Sequence, residues 1–207
     1  LELATAFGFD VALINRQSQD RDEWDTAWTF GVLFGLAVAL VLVAAASPIA
    51  AFFRTTELEL VIRILALGSV IQGFQNIGVV SFRKEMQFDR EFYFMASRKI
   101  VSVMVTIPLA IALDSYWALV IGQIAGRLTG TLASYRFHPY RPRITLAASS
   151  KLLHYSRWLL ASNLTGYVRE RSSDWLLGRV SGAHSLGIFN LGAEISSLPS
   201  TELLAPI

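Results

Sequence analysis

Long apolar stretches alternate with short polar ones along the chain, and this alternation predicts membrane-spanning helices. Residues 29–53 contain no charged side chain, and a helix of about 20 apolar residues crosses the hydrocarbon core of a bilayer. Stretches of similar character predict five further spans, at 60–82, 92–113, 116–137, 158–179 and 188–207. The predicted fold class is therefore all-α, a polytopic membrane helix bundle.

Glycine spacing within two of these spans predicts close contacts between helices. Gly31 and Gly35 stand four residues apart in the first span, and Gly122, Gly126 and Gly130 repeat the same spacing in the fourth. Residues without side chains on one ridge let two backbones approach closely inside a membrane. We therefore expect each ridge to face a neighbouring helix.

The second predicted span carries Gln72, Gln75 and Asn76, at positions i, i+3 and i+4. In a continuous helix these three residues lie on one face. We expect that face to be turned away from lipid.

Basic residues concentrate on alternate connectors. Connectors near 16–24, 83–91 and 136–151 carry most of the Lys and Arg outside the spans, whereas the intervening ones carry only Arg54 and Arg179. Cytoplasmic loops of membrane proteins hold such an excess of positive charge. The basic connectors are therefore predicted to be cytoplasmic.

Two prolines divide the chain. Pro139 and Pro142 prevent a continuous helix, so residues 138–150 are predicted to be a basic connector between two bundles. Residues 1–137 would form part of one bundle and 151–207 the start of another.

Composition supports a membrane protein and excludes other classes. Hydrophobic residues make up 53% of the chain and charged residues 16%, with a mean hydropathy of +0.46, unlike a soluble globule. The net charge of +2 is not gathered into a basic stripe with stacking aromatics, so we expect no nucleic acid partner. The 207 residues contain no Cys and do not begin with Met. Because helical patterns run to both ends, we expect a fragment of a longer membrane protein.

Charged residues inside predicted spans need a physical reason. Arg127 falls near the middle of the fourth span, with Gln123 on the same polar face, and exposure of such a charge to lipid costs at least ~2.5–3.5 kcal/mol. We expect it to face a cavity or an anionic partner; a structural ion pair is the alternative. Arg98 and Lys99 follow Glu91 by about two helical turns, so they either reach the headgroups or line a cavity.

The fifth span places Arg169, Glu170, Arg171 and Asp174 inside an apolar sequence. Asp174 lies within reach of Arg171 and Glu170 along a helix, so some of these charges can neutralise one another. Arg169 and Arg171 point about 200° apart, so one of them is expected to bind Glu194 in the sixth span or a non-protein anion. Asp174, Glu194 and Glu170 are candidates for ion coupling or for charge pairing.

No catalytic or metal-binding pattern is present. His138, His154 and His184 lie at predicted span ends and do not have the spacing of metal ligands. The sequence lacks G-x-S-x-G, P-loop and G-x-G-x-x-G motifs. We expect no enzymatic activity, no metal and no cofactor.

Five segments of the sequence form a recognisable series. They are GFDVALINRQ from Gly8, PIAAFF from Pro48, IRILALGSVIQGF from Ile62, YWALVIGQIAGRL from Tyr116 and SDWLLGRVSGAHSLGIFNLGAEISSLP from Ser173. In this order they resemble the polysaccharide flippases of the MOP superfamily, the Wzx-type exporters of O-antigen and exopolysaccharide repeat units.

The resemblance implies a MATE-like fold of two helical lobes around a central cavity. On it, residues 1–137 would span the end of helix 2 to helix 6 of the amino lobe, and 151–207 would hold helices 7 and 8 of the carboxyl lobe. It also implies the activity, transfer of undecaprenyl-pyrophosphate-linked oligosaccharide across the bacterial inner membrane by alternating access. Implied partners are the bilayer, H⁺ or Na⁺ as coupling ion, and other membrane proteins of polysaccharide assembly.

Arginine suits this substrate because its guanidinium stays protonated and binds phosphate oxygens as a planar fork. The candidate substrate-binding residues are Arg127, Arg169 and Arg171, with Arg98 and Lys99 as a first station for incoming substrate and Gln123 beside Arg127. Three alternatives remain: a MATE-like drug or cation antiporter, which predicts an acidic or aromatic cavity; a membrane polymerase or ligase, which needs a large periplasmic loop; and a packing subunit.

Overall fold

All six helices with defined bounds confirm the predicted all-α class. The computed structural model describes residues 20–150 and 182–198 and, between them, 152, 161–162, 165–166, 168–169, 172 and 180. The helices are α1 (Arg21–Phe53), α2 (Glu57–Gly73), α3 (Val80–Lys84), α4 (Phe88–Leu113), α5 (Trp117–Phe137) and α6 (Gly182–Leu198). A short 3-10 turn at Ile77–Val79 precedes α3.

The distribution of side chains between interior and surface is that of a membrane bundle. Buried positions in the described residues are mostly Ala, Gly, Ser and Thr, which bring helices together in lipid. Large apolar side chains point outward instead; Met104 and Ile111 of α4 are 68% and 81% exposed. Within the described part, α1 and α4 are long and apolar enough to cross a membrane, and α2 with Ile77–Lys84 makes a third crossing if that bent pair is one span.

Helix α1 begins earlier than predicted. The sequence places its first residue at 29, but the helix starts at Arg21 and takes in part of the predicted connector. Asp25 and Thr26 are buried in these added turns, and Thr29 is buried just beyond them. The expectation was wrong because these polar side chains bind a later part of the chain and therefore do not mark an exposed loop.

The second predicted span is broken, so the prediction of one polar face was wrong. Helix α2 ends at Gly73, and the chain turns by 70° before continuing through Ile77–Lys84. Asn76 adopts an extended conformation there and its side-chain oxygen accepts a hydrogen bond from the N–H of Gly78 at 2.9 Å. Asparagine is a preferred residue at this capping position, so it starts a new helical segment.

Side chains of α5 satisfy the backbone groups at the break. The hydroxyl of Thr131 donates to the carbonyl of Ile71 at 2.9 Å, and that of Tyr135 donates to the carbonyl of Phe74 at 2.9 Å. These bonds replace the helical ones that the break removes, as a non-helical segment at membrane depth requires.

The predicted glycine ridges are interhelical contacts. Gly31 and Gly35 of α1 lie against α2 near Gly73, and a methyl group at Gly35 would come within 2.7 Å of the Ser69 carbonyl oxygen. The ridge of α5 packs on α4, where a methyl group on Gly126 would lie 2.9 Å from Cβ of Ser102.

Two alanine substitutions in α1 provide a matched test of this packing. Gly35→Ala is expected to lower the free energy of unfolding by about 1–3 kcal/mol, because the Ser69 backbone must move. Gly31→Ala should be neutral or stabilising, since the new methyl group would lie 3.6 Å from the nearest atom, the carbonyl oxygen of Gly73, and alanine favours the helix. Thermal unfolding of the detergent-purified full-length protein measures both; equal midpoints would contradict the close α1–α2 contact.

Helix α5 covers the predicted fourth span without interruption. It is, however, less apolar than the described helices that could cross a membrane by themselves. Gln123, Arg127 and Arg136 break up its apolar sequence. It is packed between α4 and α2, which lets it carry polar groups.

The described parts of the three basic connectors lie at one end of the bundle, called the basic end below. A guanidinium nitrogen of Arg21 donates to the Arg141 carbonyl at 3.5 Å. The Lys84 ammonium lies 5.6 Å from the ring centre of Trp24. Their common location agrees with the predicted topology, and the cytoplasmic assignment of this end stays a prediction.

Candidate functional site

Two of the predicted arginines lie at the same level between helices. Arg98 is ten residues into α4 from the basic end, and Arg127 is ten residues into α5 from that same end. At 1.5 Å per residue, both are roughly 15 Å along their helices. The side chain of Arg98 lies across the ridge of α5, because a methyl group at Gly130 would be 2.6 Å from its Cδ.

Arg127 reaches in the other direction, toward α2. A methyl group at Gly68 would lie 2.9 Å from its Cδ and 3.1 Å from one terminal guanidinium nitrogen, Nη1. The absence of a side chain at Gly68 therefore creates the space that Arg127 occupies. Its Nη1 is buried and makes no hydrogen bond with any described residue.

These two guanidinium groups have no acidic partner among the described residues. The ion pairs there join Arg21 to Asp25, Arg63 to Glu59 and Arg83 to Glu91. The charges of Arg98 and Arg127 instead act on each other and repel. The described residues thus supply no structural ion pair for Arg127, and the arrangement favours binding of an anion.

The remaining candidate residues are not brought to this pair by any described contact. Lys99 and Gln123 are exposed, on α4 and α5. Arg169 is exposed as well, and it lines an open depression with Ala161, Ser162, Thr165 and Gly166. Glu170, Arg171 and Asp174 lie outside the described residues, and Glu194 lies within α6.

A second polar cluster, which the sequence pattern did not lead us to predict, lies at the basic end. Asp25 of α1 is 3% exposed, and one of its carboxylate oxygens accepts hydrogen bonds from the Tyr140 hydroxyl at 2.7 Å and the Arg143 N–H at 2.9 Å. Burial and this carboxylate raise the pKa of Tyr140, so its hydroxyl remains a donor. The available signal was the sequence DTAWT from Asp25, three polar residues on one helical face before an apolar run.

His138 joins the connector to α3. Its Nδ1 accepts a hydrogen bond from the N–H of Tyr140 at 3.1 Å, so Nε2 carries the proton and donates to the Ser81 hydroxyl at 3.1 Å. The ring fills the space above Gly78, where even a methyl group would overlap it. Burial lowers the pKa of His138 from 6.5; the negative charge of Glu85 opposes this effect, and the positive charges of Arg90 and Arg141 add to it.

Acidification is expected to destabilise the basic end through His138. Between pH 6.5 and the lower pKa of His138 in the folded protein, the unfolded chain binds more protons than the folded protein does. The free energy of unfolding therefore falls as pH falls through this window. The His138→Asn variant keeps a hydrogen-bond acceptor but does not titrate in this pH range. Its unfolding temperature should change less than that of the parental protein between about pH 7.5 and about pH 5.5. Equal changes in the parental protein and the variant would contradict this role of His138.

Comparison with known proteins identifies the family. The profile of a family described as "Polysaccharide biosynthesis protein" matches residues 1–207. The chain belongs to this family. The match confirms the Wzx-type resemblance inferred from the sequence.

Similar proteins are known from several bacteria. The chain is 23% identical to the teichuronic acid biosynthesis protein TuaB of Bacillus subtilis, over 98% of the chain and 43% of that protein. It is 24% identical to the lipopolysaccharide biosynthesis protein WzxC of Escherichia coli, over 95% and 41%, and 23% identical to the amylovoran biosynthesis protein AmsL of Erwinia amylovora, over 94% and 51%. The chain thus spans about half the length of these relatives. No solved structure matches it significantly.

Proposed function

We propose that this chain is part of a transporter that moves lipid-linked oligosaccharide repeat units across the bacterial inner membrane by alternating access. The observation that carries the proposal is the pair of arginines, Arg98 and Arg127, held about three helical turns inside a membrane bundle without a described acidic partner. Three relatives named for the biosynthesis of teichuronic acid, lipopolysaccharide and amylovoran support the class of substrate.

A pyrophosphate fits such a pair chemically. Two guanidinium groups repel each other until an anion lies between them, and phosphate oxygens accept planar, paired hydrogen bonds from arginine. In the proposal, Arg169 and Arg171 contribute from the second lobe, Asp174, Glu194 or Glu170 respond to H⁺ or Na⁺, and the basic end faces the cytoplasm. A cation antiporter is less well supported, because the charges deep in the described bundle are basic.

The location of the accumulated intermediate tests this function. In cells without the gene, lipid-linked repeat units should accumulate in the inner leaflet, out of reach of a lectin or a periodate reagent applied to spheroplasts. Reintroducing the full-length gene should return labelled sugar to the outer leaflet. If the intermediate accumulates instead in the outer leaflet, the protein acts after translocation, as a polymerase or ligase does, and the proposal is wrong.

A further inference from the structure

The connector is hydrogen-bonded to the first turns of α1. Residues 138–146 form no helix or strand, and the backbone N–H of Thr145 donates to the Thr29 hydroxyl at 3.1 Å. The N–H of Ala148 donates to the Thr26 hydroxyl at 3.2 Å. Together with the carboxylate of Asp25, which receives the Arg143 N–H, these acceptors stand at i, i+1 and i+4 on one face of α1.

The connector is also tied to the break after α2. The side-chain amide of Asn76 donates to the Tyr140 carbonyl at 2.7 Å, while its backbone N–H donates to the Ser134 hydroxyl of α5 at 2.9 Å. Asn76 thus links the break after α2 to both α5 and the connector. Beyond the connector, Leu152 is 1% exposed and packs against Ala27 of α1.

Release of the connector would be energetically expensive. Thr26 and Asn76 are 0% exposed and Asp25 is 3% exposed, and the connector supplies bonding partners for all three. On release, each of these polar groups would lose its hydrogen bond to the connector and would have to be hydrated or left unpaired, and either outcome costs free energy. A segment that opened in every transport cycle would incur several such penalties at once.

We propose that residues 138–148 and Leu152 remain fastened to α1 throughout the transport cycle and move as a rigid part of the amino-terminal helices. The connector is then a fixed cover over the polar start of α1, not a linker that is free to follow either lobe. The existence of a cycle rests on the function proposed above; the attachment itself does not.

Thiol labelling tests the attachment without a transport assay. Thr26→Cys places a thiol beneath the connector, and Asp22→Cys places one on the exposed side of the same helix. In membranes from exporting cells, the full-length Thr26→Cys protein should react with a maleimide at least about tenfold more slowly than Asp22→Cys, because reaction requires local opening. Comparable rates would overturn the proposal whether or not the protein is a flippase.

Cross-linking tests the consequence for transport. Arg21 and Arg141 are both exposed, and the Arg21 side chain spans the gap to the Arg141 backbone. Full-length Arg21→Cys/Arg141→Cys protein joined by a short bifunctional methanethiosulfonate should export at the rate of the two single variants treated alike. Loss of export only in the joined protein would show that the connector must leave α1. If the parental gene restores no export, the function is wrong while the labelling result still decides the attachment.

Discussion

Replacement of Arg127 by methionine is expected to reduce polysaccharide export by about ten- to a hundred-fold, because a hydrogen bond to a charged group contributes about 1.5–3 kcal/mol. The same change should leave the protein as stable as before or more stable, since it removes one of two repelling charges that have no described acidic partner. A purely structural arginine would show the opposite, a lower unfolding temperature. Export is measured as surface polysaccharide in a deletion strain complemented with the full-length gene.

Other substitutions supply the controls. Arg63→Met removes an exposed arginine of α2 that pairs with Glu59 and should leave export near the parental rate, whereas Arg98→Met should resemble Arg127→Met. Arg127→Lys keeps the charge but loses the planar fork, so we expect partial export. Parental export by both methionine variants, at normal abundance, would refute the role of the arginine pair.

Replacement of Asp25 by alanine is expected to cause the largest loss of stability, about 3 kcal/mol or more. It removes the acceptor of the Tyr140 hydroxyl and the Arg143 N–H, and each part-buried donor that loses its partner costs about 1–3 kcal/mol. The thermal midpoint and the membrane abundance of the full-length protein should both fall.

Asp22→Ala is the matched control, because this carboxylate lies one turn away and is exposed; it should have little effect. Tyr140→Phe removes only the hydroxyl bond and should cost about 1 kcal/mol. If Asp25→Ala unfolds at the same temperature as Asp22→Ala, the connector does not depend on Asp25.

The depth of Arg98 along its helix could be predicted from the sequence, but the direction of its side chain could not. Counting residues from the basic connector gives the depth, whereas the long side chain could still extend either to the headgroups or into the bundle. The structure turns it inward because Gly130 of the neighbouring helix leaves room for it. Arg127 is similar: sequence indicated a costly position, and Gly68 on another helix decides which way the side chain points.

The break after α2 could have been anticipated in part. Gly73 and Asn76 are typical residues for a helix end and a helix start, yet the same letters also fit a continuous helix with a polar face. The choice depends on α5, whose Thr131 and Tyr135 satisfy the freed carbonyls. A sequence pattern within one helix contains no information about such distant donors.

The sequence by itself determined the membrane class, most of the helices between residues 20 and 150 and the ridges at which they touch, because these follow from local hydropathy and from the spacing of small residues along one helix. Only the tertiary structure decided that the connector covers the polar start of α1, that the second span bends by 70°, and that Arg98 and Arg127 lie at one level. These features depend on hydrogen bonds and packing between residues far apart in the chain, as with Asp25 and Tyr140, which are 115 positions apart.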